Sequence, residues 1–130
     1  MILLDTSVLI ADPALALAAE QDYGASILSR AELEFGVAVA SGARAERRRR
    51  RLHELDQLFD WLPFTPSTTR AYGILARAMH PGAPAQARRI DTYIAAHALD
   101  LGIPLLTANP HDVERIASLI EVRAWLSGTP

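Results

Sequence analysis

Apolar residues in this chain alternate between short runs that suit strands and longer stretches with helical spacing. Met1-Ile2-Leu3-Leu4 is the first run. Four apolar residues without polar alternation read as a strand buried on both faces, as at the centre of a parallel sheet. Ala25 to Leu28, Trp61 to Thr65, Leu105 to Thr107 and Glu121 to Trp125 are the other strand candidates, with Pro63 suiting an edge.

Helical patterns fill the intervals. Ser7 to Ala11 reads as a helical turn, and Asp12-Pro13 as the cap and first residue of a short helix ending near Glu20. Ser29 opens a helix with Ala31, Leu33, Phe35 and Val39 as buried positions and Gly42 as its stop. Arg44 to Phe59 carries Leu52, Leu55 and Phe59 on one face. A helix after Pro66-Ser67 presents Tyr72, Leu75, Ala76 and Met79, and Pro81 to Pro84 forms a loop. Arg88 to Leu101 is the next helix, with Gly102 as its left-handed terminator. Asn109-Pro110 turns into a short helix from Asp112 to Leu119, and the tail after Trp125 is expected to fray. Alternating strands and helices, without a linker or internal repeat, predict a single α/β domain over residues 1–130 with a mainly parallel sheet.

Composition narrows the chemistry. At 130 residues, half of them hydrophobic and 22% charged, the chain can bury a core unaided. Without cysteine there is neither a disulfide nor a thiolate-ligated zinc. The start lacks a basic secretory signal, and no stretch suits a membrane span, so a soluble cytoplasmic protein is expected. All 13 basic residues are arginine. With no lysine, the chain cannot form a phosphate-binding loop of the G-x-x-x-x-G-K type.

The strand at Met1 to Leu4 runs directly into Asp5, and open α/β sheets bind ligands beyond the carboxyl ends of their strands. Three more acids fall at comparable junctions. Glu32 lies in the first turn of the helix expected from Ser29, Asp91 near the start of the helix after the Pro-Gly loop, and Asp112 just beyond the strand ending at Thr107. Gathered at one sheet edge, such carboxylates repel by roughly 4 kcal/mol per close pair at an effective dielectric near 20. Hard oxygen ligands of this kind favour Mg²⁺ or Mn²⁺.

The segments Leu4-Asp5-Thr6-Ser7-Val8-Leu9, Ser29 to Gly36, Asp91 to Ala96 and Leu106 to Asp112 follow one another in this order. In sequence and spacing they resemble PIN-domain ribonucleases, specifically the VapC toxins of toxin–antitoxin pairs. The resemblance covers nearly the whole chain. It implies a three-layer α/β/α fold with a mainly parallel sheet of about four to five strands. It further implies an Mg²⁺- or Mn²⁺-dependent endoribonuclease in which Asp5, Glu32, Asp91 and Asp112 form the acidic cluster. Asp5, Asp91 and Asp112 are the expected metal ligands, and Thr6 and Asn109 the expected polar support for ligands or substrate. The family more often has asparagine where Ser7 stands, so Ser7 receives no role. The implied partners are an RNA substrate, a VapB-like antitoxin that occludes the acidic groove, and a second copy of the chain. Operator DNA would be bound through the antitoxin alone.

Blander readings stand beside these. Ser29-x-x-Glu32 matches a capping box, and Asp91 and Asp112 suit the first turns of helices whatever their chemistry. A PIN-like module that grips RNA or protein without cutting is the alternative function. Glu34, two residues beyond Glu32, is expected to point elsewhere around the helix. Arg47 to Arg51, with Arg44 nearby, reads either as an RNA-backbone contact or as a solvated face neutralised by Glu46, Glu54 and Asp56. Arg88 and Arg89 lie nearer the inferred site. His97 and His111 are left outside it.

Overall fold

The computed structural model describes residues 1–11 and 22–126. Strand β1 (Ile2–Leu4) occupies an interior position, as its uninterrupted apolar run requires. It pairs in parallel with β2 (Tyr23–Ala25) on one side and β3 (Leu105–Thr107) on the other. The strand β4 (Val122–Ala124) pairs with β3, again in parallel, giving the order β2-β1-β3-β4. Leu62 extends the β2 edge by a single parallel bridge to Ser26, and Pro63 follows at once.

Alternate residues of β1 and β3 enter opposite layers. Leu3 and Leu105 pack with Leu75 and Met79 of α4 (Pro66–Met79) and Ile94 of α6 (Ile90–Leu101). Leu4 faces the other way, against Val8 and Leu9 of α1 (Thr6–Ala11) and Leu55 of α3 (Gly42–Leu58). The sheet therefore lies between two helical layers, the expected α/β/α arrangement. Each of Leu3, Leu4, Leu55, Leu75 and Ile94 is fully buried, a contribution of roughly 1.5–3 kcal/mol per side chain. The chain leaves β1 towards β2 and later returns to β3 on the opposite side of β1. That reversal puts a topological switch point beyond the carboxyl ends of β1 and β3.

Several boundaries differ from the sequence reading. The second strand lies earlier than Ala25 to Leu28 and includes Gly24, buried where Met1 and Leu62 close in. A Cβ on Gly24 would lie 2.7 Å from the sulfur of the half-exposed Met1 side chain and 3.3 Å from Leu62, so the position is closely packed. Helix α2 consequently runs over Ile27–Ala38, with Ser26 as its cap accepting from the Leu28 amide at 3.0 Å. Ser29 is inside the helix, so the Ser29–Glu32 capping box does not form and Glu32 lies beyond the first turn. Gly42 does not stop α2. With φ of 57° it begins α3, and α2 and α3 pack together as a hairpin. Phe35 and Val39 are 68% and 63% exposed, because α2 turns Leu28, Ser29 and Leu33 inward instead.

Later elements follow the expectation more closely. A reciprocal cap between Thr65 and Thr68 starts α4, and Gly102 ends α6 with φ of 64°. The Pro-Gly loop leads into a single helical turn, α5 (Pro84–Ala87). After β3 a 3-10 helix spans Pro110–Ile116, shorter than the Asp112 to Leu119 helix expected. The helix expected from Asp12-Pro13 to Glu20 and the end of the tail lie outside the described residues. Among the described residues, no helix is long and apolar enough to cross a membrane.

Candidate active site

Asp5 follows β1 directly, and its amide donates to the Leu106 carbonyl of β3 at 2.9 Å. The side chain is 8% exposed at the switch point. Its Oδ2 accepts two hydroxyl hydrogen bonds, from Ser7 at 2.7 Å and Thr107 at 2.9 Å. Ser7 Oγ also accepts from the Ala108 amide at 3.0 Å, and Thr107 Oγ1 accepts from the Asn109 amide at 3.1 Å. The two strand ends are thus tied together through one carboxylate oxygen. Among the described residues nothing bonds to the other oxygen, Oδ1, so a nearly buried acceptor is left for a ligand.

Thr6 connects the next acid. Its Oγ1 donates to Glu32 Oε1 at 2.6 Å and lies 2.8 Å from Ser29 Oγ, which is fully buried in α2. The shift of the helix start to Ile27 is what turns Ser29 inward to meet Thr6. Asp91, half-buried in the first turn of α6, has Arg89 Nη2 at 3.8 Å. Asp112 is half-buried in the 3-10 helix, its amide donating to the Asn109 carbonyl at 3.1 Å.

Electrostatics link these groups across four elements. Burial raises the Glu32 carboxyl above its usual range; the Thr6 hydrogen bond opposes the rise, and the charges of Asp91 and Asp5 add to it. Burial also raises Asp91, reinforced by Asp5 and Asp112 and opposed by Arg89. Asp91 is therefore within electrostatic reach of Asp5, Glu32 and Asp112, and Asp5 of Glu32, while Arg89 offsets part of the charge around Glu32 and Asp91. The donor set suits a hard divalent cation, since it consists of carboxylate oxygens with a free acceptor on Asp5. Among the described residues, no three acidic or histidine side chains are already arranged to hold a metal ion. An ion would have to draw the carboxylates inward.

Other residues separate clearly from this cluster. Glu34 turns away and pairs with Arg30 at 3.0 Å and Arg49 at 2.8 Å. His97 is 1% exposed, 2.8 Å from Ser26 Oγ and edge-on to Phe64, and burial lowers its proton affinity. His111 is exposed beside Glu114. Asn109 contributes backbone bonds, and its exposed side chain makes no hydrogen bond among the described residues. Sequence reasoning missed the parts played by Ser7, Ser29 and Thr107. The signal for two of them was present, since Ser7 and Thr107 are polar residues at the ends of the two central strands.

The family model for the PIN domain matches residues 2–119. Ribonuclease VapC4 of Mycobacterium tuberculosis is 33% identical over 86 residues, covering 66% of this chain and 65% of that protein. The chain thus spans just under two thirds of that relative's length. Among solved structures, VapBC-5 of Mycobacterium tuberculosis, from the VapBC family of toxin-antitoxin systems, superposes with a TM-score of 0.71. It shares 25% identity and covers 94% of each chain. VapBC2 of Rickettsia felis, bound to a DNA fragment from its promoter, has the same fold with a TM-score of 0.79 at 22% identity. That match covers 97% of this chain and all of the other.

Proposed function

Because the chain belongs to the PIN-domain family, we propose that it is a metal-dependent endoribonuclease of the VapC type, acting on cellular RNA in the cytoplasm. The observation that carries this reading is the nearly buried Asp5 carboxylate with one oxygen fixed and the other free, amid three electrostatically coupled acids. Ser7 and Thr107 hold Asp5 through Oδ2 and leave Oδ1 as a free acceptor on a fixed side chain. Thr6 anchors Glu32 through Oε1 and leaves Oε2 to orient a water or take its proton. Asp5, Asp91 and Asp112 would hold Mg²⁺ or Mn²⁺. Such an ion supplies water activation and neutralisation of the scissile phosphate. Arg89, beside Asp91, is placed to meet phosphate charge at the same edge.

The partners follow from the relatives. A VapB-like antitoxin would cover the acidic groove and bring the pair to operator DNA, and a second copy of the chain would complete the toxin. A direct test is cleavage of total cellular RNA by the purified chain in Mn²⁺ and in EDTA. Fragments in Mn²⁺ alone are expected. RNA binding unaffected by EDTA, with no cleavage under any condition, would instead establish the silent binding module.

A further inference from the structure

Ser26, Ser29 and Glu32 form a polar row along one side of α2, at the spacing of one residue per turn. Ser26 and Ser29 are fully buried, and Glu32 is half-buried. The Ser26 hydroxyl is occupied, accepting from the Leu28 amide at 3.0 Å with His97 Nε2 at 2.8 Å. Ser29 is different. Among the described residues its hydroxyl meets Thr6 Oγ1 alone, at 2.8 Å. Thr6 is 5% exposed, and its Oγ1 lies 2.6 Å from Glu32 Oε1. A hydroxyl carries one hydrogen, so Ser29 and Glu32 compete for that of Thr6. An ionised Glu32 can only accept. Were the Thr6 hydrogen given to Ser29, the short contact to the carboxylate would set oxygen against oxygen, and the buried Ser29 hydrogen would lack an acceptor. One order satisfies all three groups: Ser29 donates to Thr6, and Thr6 to Glu32.

We infer that Ser29 is a positioning residue for Glu32, acting through Thr6: its hydroxyl commits the single Thr6 hydrogen to Glu32 Oε1 and so holds the carboxylate from within the core. The inference rests on the nuclease reading above, in which Oε2 of Glu32 orients a water or takes its proton. Hydrogen bonds in series polarise one another, so a Thr6 hydroxyl that accepts from Ser29 is the better donor to Glu32. The bond from Thr6 to Glu32 ends on a charge, which makes it the stronger of the two. Both hydroxyls are on rigid elements, Thr6 at the start of α1 and Ser29 inside α2, so the restraint on Glu32 is built into the packing of the two helices. Ser29 itself touches no carboxylate of the cluster. Its loss therefore slows the chemical step and leaves substrate binding as it was.

The test combines Ser29→Ala with Thr6→Val in the full chain, assayed on a short single-stranded RNA in Mn²⁺. Ser29→Ala alone is expected to lower kcat about fivefold at unchanged KM, the scale of one hydrogen bond lost from a series. In the Thr6→Val background the same change is expected to cost less than about 1.5-fold, because the route to Glu32 is already cut. Thr6→Ser restores the hydroxyl and is expected to recover most of what Thr6→Val loses. Ser29→Cys keeps the volume with a weaker donor, is expected to fall between serine and alanine, and serves if the alanine variant folds poorly. A second readout needs neither metal nor turnover. In EDTA, the carboxyl carbon of Glu32 followed by NMR is expected to titrate at higher pH in Ser29→Ala than in wild type. In Thr6→Val it is expected to titrate at the same pH with or without Ser29→Ala. Equal losses of kcat in both backgrounds, or a Glu32 titration indifferent to Ser29, assign Ser29 to packing and overturn the proposal. No cleavage by the parent overturns the nuclease reading, and a Glu32 titration that still moves with Ser29 then supports the hydrogen-bond order on its own.

Discussion

Glu32 and Glu34 stand two residues apart on α2, yet the fold treats them in opposite ways. Glu34 faces α3 and lies between the Arg30 and Arg49 guanidiniums, whose hydrogen bonds hold its carboxyl below the usual range. Asp56 belongs to the same group. Two bonds from Arg30 and one from the Trp61 indole at 2.8 Å hold its carboxyl down to about 2. Glu32 faces the sheet edge, where burial and neighbouring carboxylates raise it. One region is complete as it stands. The other keeps negative charge together without enough cation to balance it, as sites built to receive a charged ligand do. A perturbed carboxylate alone would not separate the two regions. The direction of the shift and its cause do.

Substitutions at matched acids should separate the regions most strongly in RNA cleavage. Asp5→Asn is expected to lower the rate by a hundredfold or more, whereas Glu34→Gln should leave it within about twofold. Equal rates for wild type and Asp5→Asn would remove the basis for a nuclease at this site. The metal should discriminate next. Millimolar Mn²⁺ is expected to raise the melting temperature of the wild type, the added stability being about 1.4 kcal/mol at ten times the dissociation constant. Asp5→Asn should lose most of that gain and Glu34→Gln none. A melting temperature indifferent to both ions would show that the acids do not form a metal site.

Much of this was legible in the sequence because it depends on strand ends. The apolar run before Asp5 fixes its place at the sheet edge, and Leu105-Leu106-Thr107 forms a strand as expected, ending at the same crevice. Parallel topology then gathers junction residues from distant segments. The illegible part is side-chain pairing across long separations, such as Thr107 with Asp5 over 102 residues and Arg30 with Asp56 over 26. No periodicity encodes those bonds. Helix starts were misplaced for a related reason. Ser26 and Ser29 are both competent caps in isolation, and in the fold it is Ser26 whose hydroxyl accepts from the Leu28 amide while Ser29 turns inward to Thr6. The exposure of Phe35 and Val39 was equally hidden, since periodicity finds an apolar stripe without saying which neighbour arrives to cover it.

The neutralised network should reveal itself in stability rather than catalysis. Asp56→Asn removes the carboxylate shared by Arg30 and Trp61 and is expected to cost about 1 kcal/mol, the scale of a partly exposed ion-pair network. Acid should reproduce that loss in the wild type. Asp56 is held to about 2 in the folded chain and titrates near 3.9 when unfolded. Its contribution is therefore complete above about pH 4 and disappears as the pH falls towards 2. Chemical denaturation across this interval should show the gap between wild type and Asp56→Asn closing as the pH drops. A gap independent of pH would assign the effect to packing.

The smallest effect tests the uncompensated side directly. Glutamine at position 32 keeps an oxygen for the Thr6 hydroxyl and removes only the charge that Asp5 and Asp91 oppose. In EDTA, Glu32→Gln is therefore expected to be more stable than wild type by about 0.5 kcal/mol, because a half-buried charge among like charges is gone. In Mn²⁺ the order should reverse, since the charge then helps to neutralise the ion. Glu34→Gln should behave in the opposite sense, losing stability in EDTA and changing little on adding metal. If Glu32→Gln were destabilising in EDTA as well, the Thr6–Glu32 bond would matter more to the fold than the repulsion, and the site would resemble the arginine network more closely than its electrostatics imply.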